Sequence, residues 1–276
     1  MSLRILIFDK GGPFLPQLND HLLSIVAVIC LSIPTSASAE SLYYNRVSQV
    51  VEVSSGKFRD VYDVFSTLAS NGFTLRLTEA TQGKEFDSGN ARISLDLSKI
   101  AFDTFRHRED SGNDNTSEIY IMNLDGSHQT RLTANDAIDD AFPTWCNADI
   151  IFSRYESDTN QFDIYRMSTT DADMDGNGDN LAPIIQTTAD EFDPACSPDG
   201  RKIAFARTVA AGDSKIIVSN ADGSDPVVLT SSTAICNTPR WSPDGQWIAY
   251  SCDHHAPIQH LRDISNAASR RLSCRW

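Results

Sequence analysis

A ten-residue unit occurs twice in this chain, as CSPDGRKIAF from Cys196 to Phe205 and as WSPDGQWIAY from Trp241 to Tyr250. Each copy reads as a strand end, a tight turn and a second strand. Pro198 and Pro243 preset φ at the first central turn position. Asp199 and Asp244 bond nearby amides, and Gly200 and Gly245 accept positive φ where the second strand leaves. The apolar triplet that follows is a short buried strand. A unit that recurs 45 residues on marks a repeat array, and the repeat sets the fold.

Variants extend the array in both directions. ARISLDLSKIAFDT, Ala91 to Thr104, carries Asp96-Leu97-Ser98 in place of the standard turn. AFPTWCNADIIFSRY, Ala141 to Tyr155, carries a shortened one. The anchors Phe102, Phe152, Phe205 and Tyr250 are spaced by 50, 53 and 45 residues. After each come a third strand, as in EIYIMN or FDIYRM, and a fourth ending in LT or QTT. Units fall near 40–78, 90–133, 140–188, 193–230 and 237–273. The first is degenerate, and VYDVFSTLAS within it is compatible with a strand or a short helix. In the last, IQHLRDI and RRLS are the expected third and fourth strands. Four short strands in a period of 40 to 50 residues, with no sustained 3.6-residue periodicity, predict an all-β fold. The expectation is a β-propeller of four-stranded antiparallel blades with about five units, either a five-bladed ring or part of a larger, incomplete one.

The net charge is −14, which argues against nucleic acid and anionic membranes as partners, since both need clustered Lys and Arg. Leu22 to Ile33 is an apolar run too short for a typical membrane span, followed by Ala37-Ser38-Ala39. This pattern predicts a leader over residues 1–39, with the propeller over 40–276 and no membrane span after cleavage. Export would permit disulfides. Of six cysteines, Cys30 lies in the leader, and the remaining five cannot all pair. Cys236 and Cys252 fall within about one residue of strand register, which suits a disulfide or two buried thiols. Cys146 stands at the Ser position of the repeat and Cys196 at the Trp position, and both are read as core fillers.

The phrases PxWSPDGxxIAF and IYxMNxDGSxxxxLT resemble the WD-like repeat of TolB-type β-propellers. The resemblance covers about 90–273, with 40–89 a weaker member. It implies a periplasmic or secreted bacterial protein. The α/β domain that precedes the TolB propeller is not seen, so no contact residue is carried over from that family.

The sharpest candidate for chemistry is the acidic insertion Asp171 to Asn180. Hard oxygens at alternate positions around a sharp turn suit Ca²⁺. Read from Asp173, the ligands would be Asp173, Asp175, Asn177 and Asp179, with Gly178 at the bend. The twelfth position of an EF-hand frame is Ile184 rather than Glu, and the competing reading is a solvated acidic turn. His254 and His255 are adjacent in sequence and point to opposite faces of a strand, a poor metal pair. No G-x-S-x-G elbow or phosphate loop occurs. The expected function is therefore an exported, non-catalytic scaffold for a protein or cell-envelope partner. Loops 106–117, 155–161 and 168–182 are the expected recognition surface, and self-association follows if the ring is open. The alternatives are a metal-dependent sugar-acid lyase, a propeller accompanying a hydrolase, and a truncated fragment without a role of its own.

Overall fold

A computed structural model describes residues 27–28, 41–51, 58–68, 74–78, 88–105, 116–134, 138–174, 177–210, 213–230, 234–253 and 262–263. These residues form strands and turns and contain no helix. The strands make five separate antiparallel sheets, taken in chain order. Blade 1 is β1 (Ala27–Val28), β2 (Ser41–Val51), β3 (Phe58–Leu68) and β4 (Thr74–Arg76). Blade 2 is β5 (Ser88–Ile93), β6 (Lys99–Thr104), β7 (Glu118–Asn123) and β8 (Thr130–Arg131). Blade 3 is β9 (Asp140–Cys146), β10 (Asp149–Glu156), β11 (Gln161–Met167) and β12 (Ala182–Ile185). Blade 4 is β13 (Glu191–Cys196), β14 (Lys202–Ala210), β15 (Asp213–Asn220) and β16 (Val227–Val228). Blade 5 has three described strands, β17 (Cys236–Trp241), β18 (Trp247–Cys252) and β19 (Arg262–Asp263). The proposed RRLS strand and His254 and His255 lie outside the described residues.

VYDVFSTLAS is a strand, not a helix. Its residues 61–68 fall within β3, which pairs with β2 in an unbroken ladder from Ser41↔Leu68 to Val51↔Phe58, and Ala69 and Ser70 lie outside the described residues. The β-branched and aromatic residues of the segment favour the pleat, and Val64 packs into the core it shares with blade 2. Within the expected leader, the described residues Ala27 and Val28 pair with Tyr44 and Tyr43 of β2.

The blades stack face to face, and each junction has its own apolar core. Ile100, Phe102 and Tyr120 meet Tyr43 and Val64 between blades 1 and 2. Ile150 and Phe152 meet Ile119 and Leu132 between blades 2 and 3. Ile203 and Phe205 meet Ile151 and Ile164 between blades 3 and 4. Ile248 and Tyr250 meet Ile216 and Val218 between blades 4 and 5. Phe102, Phe152 and Phe205, three of the sequence anchors, are fully buried. Alternation explains this layering: odd and even residues of each second strand face opposite neighbours. Ala101, Ile151 and Ala204 are fully buried against the following blade, while Ala249, at the equivalent position of blade 5, is exposed. Among the described residues no core cluster joins blade 5 to blade 1.

The turns are held by their own side chains. Ser197 Oγ donates to Asp199 Oδ1 at 2.6 Å and accepts from the Lys202 amide at 2.9 Å. Ser242 and Asp244 repeat both bonds in blade 5. Ser94 and Asp96 repeat them in blade 2, where Leu97 takes the glycine position at φ +57°. Gly200 and Gly245 have φ of +69° and +68°, as the turn chemistry requires.

Candidate functional site

First strands of successive blades lie against one another, so they line the inner wall of the array. Each described first strand from β5 onward carries a bulge, seen as a register shift against its neighbour. The bulge residue has positive φ and is not glycine: Asn90 at +49°, Phe142 at +56°, Asp193 at +58° and Thr238 at +51°. Such backbone is costly for ordinary side chains and persists where the surroundings enforce it. At Phe142, Asp193 and Thr238 the enforcement is a hydrogen bond from the bulge amide. The Phe142 amide donates to Asp103 Oδ2 at 2.9 Å, and the Asp193 amide to Ser153 Oγ at 3.2 Å, in each case on the preceding blade. The equivalent position in blade 4 is Ala206, which accepts nothing. There the Thr238 amide donates instead to Asp193 Oδ2 at 2.9 Å.

Charged groups gather on this wall. Asp103 also accepts from Asn90 Nδ2 at 2.7 Å. Arg240 reaches Asp193 at 3.4 Å, and the Arg92 guanidinium acts on both Asp103 and Asp193. Burial pushes both carboxyls above the ordinary aspartate value, against the hydrogen bonds and the Arg92 charge that favour ionisation. Arg92 and Arg240 occupy the same position in blades 2 and 5, next to Ile93 and Trp241. The sequence reading missed this group. A detectable signal was a charged residue at the position that is Thr144 in blade 3 and Ala195 in blade 4.

A second row lies where each first strand begins. The cross-strand pair is Ser88–Thr104 in blade 2, Asp140–Arg154 in blade 3, Glu191–Arg207 in blade 4 and Cys236–Cys252 in blade 5. The Asp140–Arg154 pair is bidentate, with both bonds at 2.7 Å. Cys236 and Cys252 are direct register partners and form a disulfide. The reading of Cys146 and Cys196 as fillers is corrected: they form a second disulfide, with Cα atoms 5.3 Å apart, from blade 3 to blade 4. Trp145 and Trp241 stand at the position of Cys196 in their own blades. Each instead donates its indole N–H to the preceding blade, to Arg92 O at 3.0 Å and Ala195 O at 2.9 Å. The disulfide thus replaces the Trp tie at one junction.

In the acidic insertion, Asp173 and Asp179 come together with Asp171, and their carboxylate oxygens lie within 4.8 Å of one another. Asp175 lies outside the described residues. Asn177 Oδ1 accepts from the Ala134 amide of blade 2 at 3.2 Å. Asp179 accepts from Thr170 Oγ1 at 2.7 Å and the Ala172 amide at 3.0 Å, and the Thr170 hydroxyl holds its carboxyl below the ordinary value. The three carboxylates offer hard oxygens, while calcium takes six to eight, so backbone or water would supply the rest.

The expected recognition loops divide between the two ends. Strand direction alternates, so the β6–β7 and β10–β11 connections share one end. The β11–β12 insertion lies at the other, with the Ser-Pro-Asp-Gly turns. Among the described residues no helix is long and apolar enough to cross a membrane.

No family model matches the chain. A stretch of 85 residues, 31% of this chain, is 33% identical to the Tol-Pal system protein TolB of Alcanivorax borkumensis. The match spans 19% of that protein, so the chain corresponds to about a fifth of the curated relative. Among solved structures, a putative TolB from Agrobacterium tumefaciens superposes with a TM-score of 0.55 at 20% identity, over 78% of this chain and 71% of that one. TolB from Acinetobacter baumannii gives 0.55 at 19% identity, over 80% and 48%. A puromycin hydrolase gives 0.56 at 13% identity, over 87% and 38%, a likeness of fold alone. The fold of this chain is a TolB-like β-propeller.

Proposed function

We propose that this chain, with its TolB-like β-propeller fold, is an exported, non-catalytic scaffold that binds a protein or another component of the cell envelope. The observation that carries the reading is the 33% identity to a Tol-Pal system protein over 85 residues. The two disulfides support it, since such bonds persist in oxidising compartments. So does the use of the wall carboxylates. Asp103, Asp193 and Asp140 are spent on bulge amides and guanidinium partners, a structural duty that any blade would need. Residues 1–39 are assigned to the leader on the same reading.

The test is cross-linking of the exported full chain in intact cells, followed by identification of the adduct by mass spectrometry. A stoichiometric envelope partner, retained on purification without turnover of any added substrate, is expected. The competing reading is a propeller that accompanies a hydrolase, which the puromycin hydrolase likeness motivates at the level of fold. Peptide or acidic-oligosaccharide turnover by the purified chain, with no stable partner, would overturn the scaffold.

A further inference from the structure

We propose that the cleft between the Ser-Pro-Asp-Gly turns of blades 4 and 5 receives one cationic side chain, an arginine or a lysine, presented by a partner protein. This deepens the scaffold reading and rests on it. The cleft encloses about 270 Å³ and is lined by Pro198, Asp199, Lys202, Trp241, Asp244 and Gln246, among others. That volume is below the range of drug-sized ligand pockets, so it suits a single side chain.

The lining sets the chemistry. Each turn carboxylate spends Oδ1 on its own turn: Asp199 on Ser197 Oγ and the Arg201 amide, Asp244 on Ser242 Oγ and the Gln246 amide. The second oxygen of each has no hydrogen bond among the described residues. The serine hydroxyls hold both carboxyls below the ordinary aspartate value, so both are charged at neutral pH. Lys202, bonded to Asn220 Oδ1 at 3.4 Å, and Arg201, whose charge acts on Asp199 from beside the cleft, leave the two free carboxylate oxygens, rather than a net charge, as what the lining offers. Trp241 is half-buried and fixed through its Nε1 bond to Ala195 O at 2.9 Å. A fixed indole beside two carboxylate oxygens that accept no hydrogen bond is a setting for a guanidinium or ammonium group, by cation–π attraction and charge-assisted hydrogen bonding.

The space is a property of this junction. A Cβ placed on Gly200 would stand 2.3 Å from the Asn147 side chain of blade 3, so that junction is filled. A Cβ placed on Gly245 would find Pro198 of blade 4 no nearer than 3.6 Å.

The test is calorimetric titration of the full chain with a glycine-flanked arginine peptide, blocked at both ends, and with its glutamate counterpart. Saturable binding of the arginine peptide alone is expected. It should weaken tenfold or more in Asp199→Asn with Asp244→Asn, where the amide oxygen still accepts the turn bonds. The control is Asp125→Asn with Asp222→Asn, which removes the same charge from turns outside the cleft and should change binding less than twofold. Lys202→Met, which removes the competing cation, should tighten binding about threefold. An absence of saturable binding, an equal loss in the control pair, or weaker binding by Lys202→Met would overturn the assignment. Should the Asn variants still cross-link the envelope partner while the native chain ignores the arginine peptide, the cleft assignment falls and the scaffold reading stands.

Discussion

The junction between blades 3 and 4 closes on a disulfide and a core of branched aliphatics around Phe205, while the junction between blades 4 and 5 closes on an indole and a core in which three alanines stand among Ile216, Val218, Ile248 and Tyr250. Equivalent positions carry these different solutions. Across the first, Cys146 bonds Cys196, and Ile151, Ile164, Ile185, Ile203, Phe205 and Ile217 fill the core. Across the second, Trp241 reaches Ala195 O, and Ala204, Ala206 and Ala234 stand among the core residues. The cysteine pair of blade 5, Cys236–Cys252, ties two strands of one blade, and across the junction Cys236 contributes to the shared core and accepts from Ser214 Oγ through its carbonyl at 2.8 Å. The first junction is fastened covalently and packed with large groups. The second depends on a half-exposed aromatic and leaves a cleft beside it. The repeat therefore fixes blade geometry while leaving the seam between blades free to vary, and variation at the seam is where this propeller acquires a potential docking point.

Removal of each disulfide gives the largest effects and separates the two kinds of tie. Cys146 and Cys196 lie 50 residues apart, Cys236 and Cys252 lie 16 apart. Loop-closure entropy assigns the longer loop about 4 kcal/mol and the shorter about 3 kcal/mol. Urea denaturation of Cys146→Ser with Cys196→Ser, beside Cys236→Ser with Cys252→Ser, should show the former less stable. It should also show protease cleavage concentrated between blades 3 and 4. A smaller loss for the former pair would mean that the aliphatic core holds that seam unaided.

Trp241→Ala comes next. The side chain is half-buried, so the loss is smaller than for a core tryptophan, about 2 kcal/mol, part packing and part the orphaned Ala195 carbonyl. Trp145→Ala removes the same tie between blades 2 and 3 and should cost as much. A clear excess at Trp145 would show that the cleft already weakens the seam at Trp241.

The pH dependence should come from carboxyls buried at the seams. Between blades 2 and 3, Glu118 and Asp140 face Arg131 and Arg154. Between blades 3 and 4, Glu191 pairs with Arg207 while the Asp163 carboxylate acts on it, and Asp163 Oδ1 and Glu191 Oε2 are buried without a hydrogen bond. Burial pushes the Glu118 carboxyl up to about 7 and the Glu191 carboxyl upward as well. A raised carboxyl keeps its proton in the fold after the unfolded chain has released it. Stability therefore falls as pH rises from the ordinary glutamate value toward 7, by an amount on the order of 3 kcal/mol. Glu118→Gln and Glu191→Gln should each flatten the slope of the denaturation midpoint against pH. At the seam between blades 4 and 5 the Cys236–Cys252 bond takes the place of the acid–arginine pair, and the carboxyl that burial raises there is Asp193, on the inner wall.

Much of this was legible in the sequence, for a local reason. Turn chemistry is contained in four or five consecutive residues, so Ser-Pro-Asp-Gly located the hairpins, and their spacing located the blades. Cys236 and Cys252 lie on paired strands, and counting back from the turn placed them opposite one another to within a residue. Cys146 and Cys196 escaped because they meet across a seam. No register within a blade reports which residue of the next blade lies beside it. The wall charges escaped for the same reason: Arg92 acts on Asp193 from two blades away. The acidic insertion was marked by composition; the fold sets Asp171 beside Asp173 and Asp179, a grouping that alternate spacing from Asp173 does not report, and the Asn177 oxygen accepts from the Ala134 amide of blade 2.

The smallest effect is the sharpest probe of the two seams, because the paired positions differ in one respect. Gly200 and Gly245 have φ of +69° and +68°, so alanine pays the same left-handed cost at each, about 1 kcal/mol. The blade 2 equivalent, Leu97 at +57°, shows that the turn survives a side chain there. The surroundings differ: the new Cβ would be 2.3 Å from Asn147 at position 200 and 3.6 Å from Pro198 at position 245. Gly245→Ala should therefore cost about 1 kcal/mol and Gly200→Ala about 2 kcal/mol, since Asn147 must move. Asn147→Gly combined with Gly200→Ala should bring the cost of the alanine back to the Gly245 level, a coupling that a double-mutant cycle reads directly. Equal costs at the two glycines, with no coupling to Asn147, would mean that the turn between blades 3 and 4 is as open as the one between blades 4 and 5, and the contrast between the seams would rest on the disulfide alone.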